Sequence, residues 1–255
     1  MLKRISLKQS TRIAIQYTAD HDSMPRLITD FDGPIVDVSE RYYQVYQYCL
    51  ASVADPEQSL QPLTKVEFWS LKRSRIPEMQ IGINSGLEFS QARDFAQLRR
   101  DTIHTMPYFQ HDLIIPGARS ALQKLQAAGI ELVVMTMRRT RELNFALSNY
   151  ELDEFFHPDR RYCLDNDYLK TQDIEDKTLL MQRAMQELAA EQTWMLGDTE
   201  ADIIAAQSQG LPAIAVLSGI RDRTQLAAYN PDFILTDLLA ATDLILEQTL
   251  MSSSS

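Results

Sequence analysis

Four short apolar runs punctuate the chain, at 26–31 (RLITDF), 131–136 (ELVVMT), 193–197 (TWMLG) and 213–217 (AIAVL). Each is rich in β-branched or bulky residues and has the length of a strand buried on both faces. Amphipathic stretches of helical period lie between them. In 118–129 (ARSALQKLQAAG) apolar residues fall at 121, 122, 125 and 128, and Gly129 supplies a C-terminal stop. The stretch 177–190 (KTLLMQRAMQELAA) has the same character. Strands alternating with helices of this length predict βαβ units and an α/β fold with a parallel sheet and right-handed crossovers.

One interruption breaks the alternation. From residue 31 to residue 118 the chain offers helix-forming segments instead: SERYYQVYQYCLASV, TKVEFWSLKRS and SQARDFAQLRRDTIH. Turn signals separate them at Asp55-Pro56, Ile76-Pro77 and Asn84-Ser85-Gly86. This is too long for a single crossover, so a helical insertion over 40–113 is predicted, returning to the core near Pro116-Gly117. An insertion that departs just after a strand end is placed to cover that end as a lid. The core is then 26–39 together with 114–250. Residues 1–25 form an N-terminal extension, in which Thr11 to Tyr17 alternate as an extra edge strand would, and 251–255 a disordered tail.

Composition narrows the partners. With 255 residues and 45% hydrophobic content the chain can bury a full core. A net charge of -10 speaks against nucleic acid as a partner, since such proteins show basic stripes. No run is long enough to span a membrane, and the N-terminus lacks the apolar stretch of a signal peptide. A soluble cytoplasmic protein, monomer or homodimer, is expected. Cys49 and Cys163 match no metal spacing and suggest buried thiols in a reducing compartment.

Chemistry concentrates at predicted strand ends. In LITDFDGPIVD, Asp30 and Asp32 stand two apart, so both carboxylates leave the strand on one face. Like charges held that close need a cation or a shared proton, although Asp before Gly-Pro also suits a plain polar turn. In WMLGDTEADI, Asp198 follows a strand and Asp202 falls in the first turn of the next helix, able to face back toward it. Clustered carboxylates suit a hard divalent cation such as Mg²⁺; a helix cap and a dipole-favoured acid are the plainer account. Thr136 ends a strand and either donates to an anionic oxygen or caps a helix. Lys177 opens a helix, where a cation is mildly disfavoured unless it has a role, and Lys170 competes with it for that role.

Taken in order, LITDFDGPIVD, VVMTMR, Lys177 and MLGDTEADI resemble the four motifs of the haloacid dehalogenase superfamily, over about residues 26–245. The resemblance, closest to its capped phosphoglycolate phosphatase-like members, implies a Rossmann-like three-layer α/β/α core with an inserted helical cap. It implies Asp30 as a nucleophile that forms an aspartyl-phosphate, and Asp32 as the acid and base for leaving group and water. Thr136 and Lys177 would hold the phosphoryl oxygens. Asp30, the Asp32 main-chain carbonyl, Asp198 and Asp202 would serve Mg²⁺. Arg138 is a further candidate for substrate binding, as is Arg73 beside Lys72 and Arg75 on the cap, where a solvated basic face is the alternative.

A carboxyl at Asp32 favours phosphate esters over carbon–halogen substrates, because an alkoxide needs an acid to leave. Sugar phosphomutases of the same type are the nearest alternative, but they carry His where Tyr42 stands and Thr where Val38 stands. A degenerate Mg²⁺- and phosphate-binding regulator is the third reading. It draws on two departures: Pro34, which removes an N–H near the nucleophile, and Met137, where Asn is usual. Lys177 also lacks the usual following proline. Tyr42, Tyr43, Tyr46 and Tyr48 read as cap packing, with Tyr42 able to line the entrance, and His104 and His111 read as structural.

Overall fold

A computed structural model describes residues 24–188 and 192–252. The expected strand at Thr11–Tyr17 and residues 253–255 lie outside them. In chain order the strands are β1 (Arg26–Thr29), β2 (Val36–Asp37), β3 (Leu113–Ile114), β4 (Glu131–Arg139), β5 (Arg161–Leu164), β6 (Thr193–Gly197), β7 (Ala213–Val216) and β8 (Phe233–Leu235). The helices are α1 (Ser39–Val53), α2 (Lys65–Arg73), α3 (Glu78–Asn84), α4 (Phe89–Thr102), α5 (Ala118–Ala127), α6 (Thr140–Asn149), α7 (Asp173–Glu187), α8 (Glu200–Ser208), α9 (Arg223–Ala227) and α10 (Leu238–Ser252).

Six strands form one parallel sheet in the order β5-β4-β1-β6-β7-β8. Consecutive residues of each central strand enter different cores. Leu27, Val134, Leu196 and Ile214 pack with Leu125 of α5, Leu143 of α6 and Ala241 of α10. Ile28, Val133, Met195 and Ala215 pack on the opposite face with Met181 of α7, Ile203 of α8 and Leu226 of α9. Burial on both faces is why these strands read as unbroken apolar runs. The result is the expected α/β/α sandwich, with β1 between β4 and β6 at its centre.

Helices α1 to α4 build a separate core from Val45, Tyr46, Phe68, Ile81 and Phe95. Thr64 and Glu67 cap each other's backbone at the start of α2. Their link to the sheet is a small antiparallel ribbon, in which Val36 of β2 pairs with Ile114 of β3 and Asp37 with Leu113. The outgoing and returning chains thus cross side by side, directly above the C-terminal end of β1.

Several elements depart from the sequence-based expectation. Strands β5 (RYCL) and β8 (FIL) are the two sheet edges, and at four and three residues their apolar runs are too short to stand out as strands. Strand β4 continues three residues past Thr136, to Arg139. Helix α7 begins at Asp173, because Asp173, Glu175 and Asp176 fill a first turn that favours acids. Lys177 therefore sits one turn inside the helix rather than at its start. Helix α10 runs to Ser252, so the first two residues of the expected tail are helical. No helix among the described residues is long and apolar enough to cross a membrane.

Candidate active site

The site lies where β1 and β6 end. The Asp30 N–H donates to Leu196 O at 2.8 Å, extending the β1–β6 pairing to the first carboxylate. Asp198 follows β6 directly. Asp202 is the third residue of α8, held by the Thr199 N–H (3.0 Å) and hydroxyl (2.7 Å) in a capping box. One oxygen from each of Asp30, Asp198 and Asp202 lies within 4.8 Å of the others, and all three residues are buried. Asp198 also accepts from the Ile220 N–H at 2.6 Å. Gly33, at φ 95°, and Gly219 leave room for this carboxylate, since a Cβ at either would overlap it.

Lys177, buried in the second turn of α7, bridges Asp30 (2.7 Å) and Asp202. Burial works against its charge, but the two carboxylates outweigh that and push its pKa up. Burial pushes Asp30 up to about 7, despite the attraction of Lys177, and Asp202 adds to the rise. Asp198 is raised well above the carboxylate range by burial and by Asp202 and Asp30. Were all three carboxylates ionised, one ammonium would leave an excess of two negative charges in a buried space, which is what burial resists. An oxygen-only donor set with that excess fits a hard dication of the Mg²⁺ kind.

Asp32 has the opposite surroundings. Its Oδ1 accepts from Arg138 Nε (2.8 Å) and pairs with Nη2 (2.7 Å), and its Oδ2 accepts from Arg41 Nη2 (3.3 Å). Buried Asp112 completes the square, accepting from Arg41 Nε (2.8 Å) and Arg138 Nη2 (2.5 Å). Both guanidiniums also lie over the Phe109 ring, at 4.6 and 4.9 Å. Burial alone would raise the Asp32 pKa, yet Arg138 and Arg41 lower it below the ordinary value. Sequence reasoning missed Arg41 and Asp112: a buried arginine on α1 and an acid before β3 look like any solvated charges.

Two adjoining cavities share Asp30, Asp32, Tyr42, Met137 and Asp173. The larger, about 180 Å³, reaches Lys177, Asp198, Trp69 and Arg221. Tyr42 meets Trp69 edge to face at 5.7 Å, so the residue expected at the entrance does line it. The smaller, about 140 Å³, is lined also by Thr136, Arg138, His104 and Lys170. Thr136 is no helix cap, because α6 starts at Thr140 with Arg139 as its cap; its hydroxyl accepts from the Arg138 N–H at 3.2 Å.

Other sequence candidates stand elsewhere. Arg73 ends α2 at the seam between cap and core, donating to Arg221 O at 2.9 Å, and lines neither cavity. Arg138 spends Nε and Nη2 on Asp32 and Asp112, which leaves only Nη1 without a partner. His104, read as structural, faces the smaller cavity. The turn holding Pro34 closes through Gly33 N–H to Val36 O and the N–H groups of Ile35 and Val36 to Phe31 O. None of these bonds needs a donor at residue 34.

Comparison with known proteins agrees with this geometry. The family model for haloacid dehalogenase-like hydrolases matches residues 25–210. A phosphoglycolate phosphatase from Synechococcus elongatus is 25% identical over 236 residues, covering 88% of this chain and 100% of the relative. One from Pseudomonas syringae pv. tomato is 24% identical over 219 residues, covering 84% and 78%. Among solved structures, a haloacid dehalogenase-like family hydrolase from Streptococcus pneumoniae superposes with a TM-score of 0.64 at 20% identity, covering 87% of this chain and 98% of that one.

Proposed function

The chain belongs to the haloacid dehalogenase-like hydrolase family, and from that premise we propose that it is a Mg²⁺-dependent phosphatase acting on a small phosphorylated metabolite of the phosphoglycolate kind. Asp30 attacks phosphorus and forms an aspartyl-phosphate. Thr136 Oγ1 and Lys177 Nζ hold phosphoryl oxygens as charge builds on them. Asp32 gives a proton to the leaving alkoxide and later takes one from the attacking water. Asp30, Asp198, Asp202 and the Asp32 main-chain carbonyl would hold Mg²⁺, whose charge would keep Asp30 ionised beside an anionic substrate.

The charge imbalance carries this reading: three buried carboxylates converge at the strand end where the nucleophile stands, and one lysine pairs with only two of them. Asp32 adds a condition. Both its oxygens are taken by arginines, so the acid step needs one contact to yield. Arg41 makes the longer one, and it comes from α1 of the cap. A local shift of Arg41 on α1 that breaks this contact would free Asp32.

Release of inorganic phosphate from an aryl phosphate tests the proposal. Activity should require Mg²⁺, vanish with chelator, and fall by roughly a thousandfold or more in Asp30→Asn. Silence of the wild-type protein with Mg²⁺, across a panel of phosphorylated metabolites, sinks the enzyme reading and favours a binding module.

A further inference from the structure

The smaller cavity holds more hydrogen-bond donors than the proposed phosphoryl transfer uses. Arg138, 2% exposed, keeps Nη1 without a partner. His104 Nδ1 is buried and unpartnered as well, since Glu142 Oε2 at 3.8 Å is beyond hydrogen-bond range. Burial drives this imidazole's pKa down to about 3, so it is neutral and still has one N–H to donate. Lys170, on the loop between β5 and α7, lines the same space. Of the carboxylates near it, Glu142 is engaged with Arg139, while Asp173, exposed on the first turn of α7, lines the cavity beside Lys170 without forming an ion pair with it. Asp32 is already matched by Arg138 and Arg41.

We propose that this cavity is a subsite for a second anionic group of the substrate, carried a few bonds from its phosphoryl group, with Lys170 as the principal donor and His104 and Arg138 Nη1 beside it. The inference rests on the phosphatase reading for where the phosphoryl group lies, at Asp30 and Thr136. Both residues line the cavity, so the phosphoryl group and the three donors face one shared space. A volume of about 140 Å³ admits a carboxylate or a phosphoryl group but lies below the size of pockets that enclose larger ligands. The donors also come from both sides of the seam: His104 follows α4 of the cap, while Lys170 and Arg138 belong to the core. A second anion bridging them ties selectivity to cap closure.

Binding of carbon–phosphorus analogues reads this without turnover, because they carry no alkoxide to expel. The full chain, with Mg²⁺, is titrated calorimetrically with 3-phosphonopropionate, ethylene-1,2-diphosphonate and propylphosphonate. The first two place a carboxylate or a second phosphonyl group where the third has a methyl. At least one of them should bind about 10- to 100-fold more tightly than propylphosphonate, as expected for one charge-assisted contact, and which one does identifies the anion. Lys170→Met should collapse that ratio toward one and Lys170→Arg should keep most of it; His104→Ala should lower it partway. A wild-type ratio near one, or a preference that survives Lys170→Met, overturns the subsite. Phosphate release from an aryl phosphate by the same preparation reports on the phosphatase separately. A protein that shows the preference but releases no phosphate keeps the subsite and loses the activity.

Discussion

Replacing Asp112 by asparagine tests whether the four-residue charge square acts as one unit. The square is neutral, with Arg41 and Arg138 against Asp32 and Asp112, and the side chains of Arg41, Arg138 and Asp112 are at most 1% exposed. The Asp112→Asn amide is nearly isosteric with the carboxylate it replaces but leaves one buried cation uncompensated. Breaking a buried pair from one side costs about 3–5 kcal/mol. Here Asp32 still holds both guanidiniums and the amide oxygen still accepts one bond, so the low end, about 3 kcal/mol, is expected. Against a total stability of about 5–15 kcal/mol that is a large loss. Arg41→Met alone should cost a similar amount, since it leaves Asp112 and Asp32 to share Arg138 alone and gives up a bond to Ile103 O. The double variant restores neutrality. It should lose about 3 kcal/mol rather than the sum of about 6, a coupling of about 3 kcal/mol. Urea unfolding measures this, with Trp69 in the cap and Trp194 in the sheet as fluorescent reporters and circular dichroism to check that the transitions coincide. Losses that add to within about 0.5 kcal/mol would refute the claim that the square is coupled.

Two other perturbations follow from the same charges. Asp198→Asn relieves repulsion among three carboxylates, so the metal-free protein should melt no lower than wild type, while the rise in melting temperature on adding Mg²⁺ should disappear; a full Mg²⁺ shift in the variant contradicts the assignment of Asp198 to the cation. His104, held neutral with a pKa of about 3, refuses a proton that the unfolded chain accepts near 6.5. Its contribution to stability is therefore complete above about pH 6.5 and lost as pH falls from there toward 3. In His104→Gln this component of the acid-side loss is absent, so the stability difference between wild type and variant should shift in favour of the variant between about pH 7.5 and about pH 5. A difference that stays constant over that range means His104 is not held neutral.

How legible the molecule is in its sequence depends on what each residue faces. Central strands were readable because burial on both faces leaves an apolar run; the edge strands β5 and β8 are largely apolar too, but only four and three residues long. Asp30 and Asp198 could be picked out as acids at strand ends, and Asp202 and Lys177 as charges near helix starts, and the structure brings all four together. Arg41 and Asp112 could not. They are 71 positions apart in sequence and meet only because the β2–β3 ribbon carries the chain out to the cap and back beside itself. His104 escaped for the same reason: its surroundings come from α6, β4 and the loop before α7, not from its neighbours in sequence.

The two carboxylates of the first motif occupy surroundings that run against their proposed tasks. A nucleophile must be ionised, but burial and Asp202 raise Asp30 to about 7. An acid must be protonated to give its proton up, but Arg138 and Arg41 hold Asp32 as an anion. Environments that push two carboxyl groups apart ordinarily mark the acid and the base directly; here each becomes competent only when something changes. A dication among Asp30, Asp198 and Asp202 lowers the cost of ionising Asp30. A shift of Arg41 would remove one of two cations from Asp32, and a substrate phosphoryl group beside it would add negative charge that favours protonation. Neither change alone serves both residues. On the proposed mechanism hydrolysis would therefore need metal and substrate together, the one to keep Asp30 ionised and the other to favour a proton on Asp32.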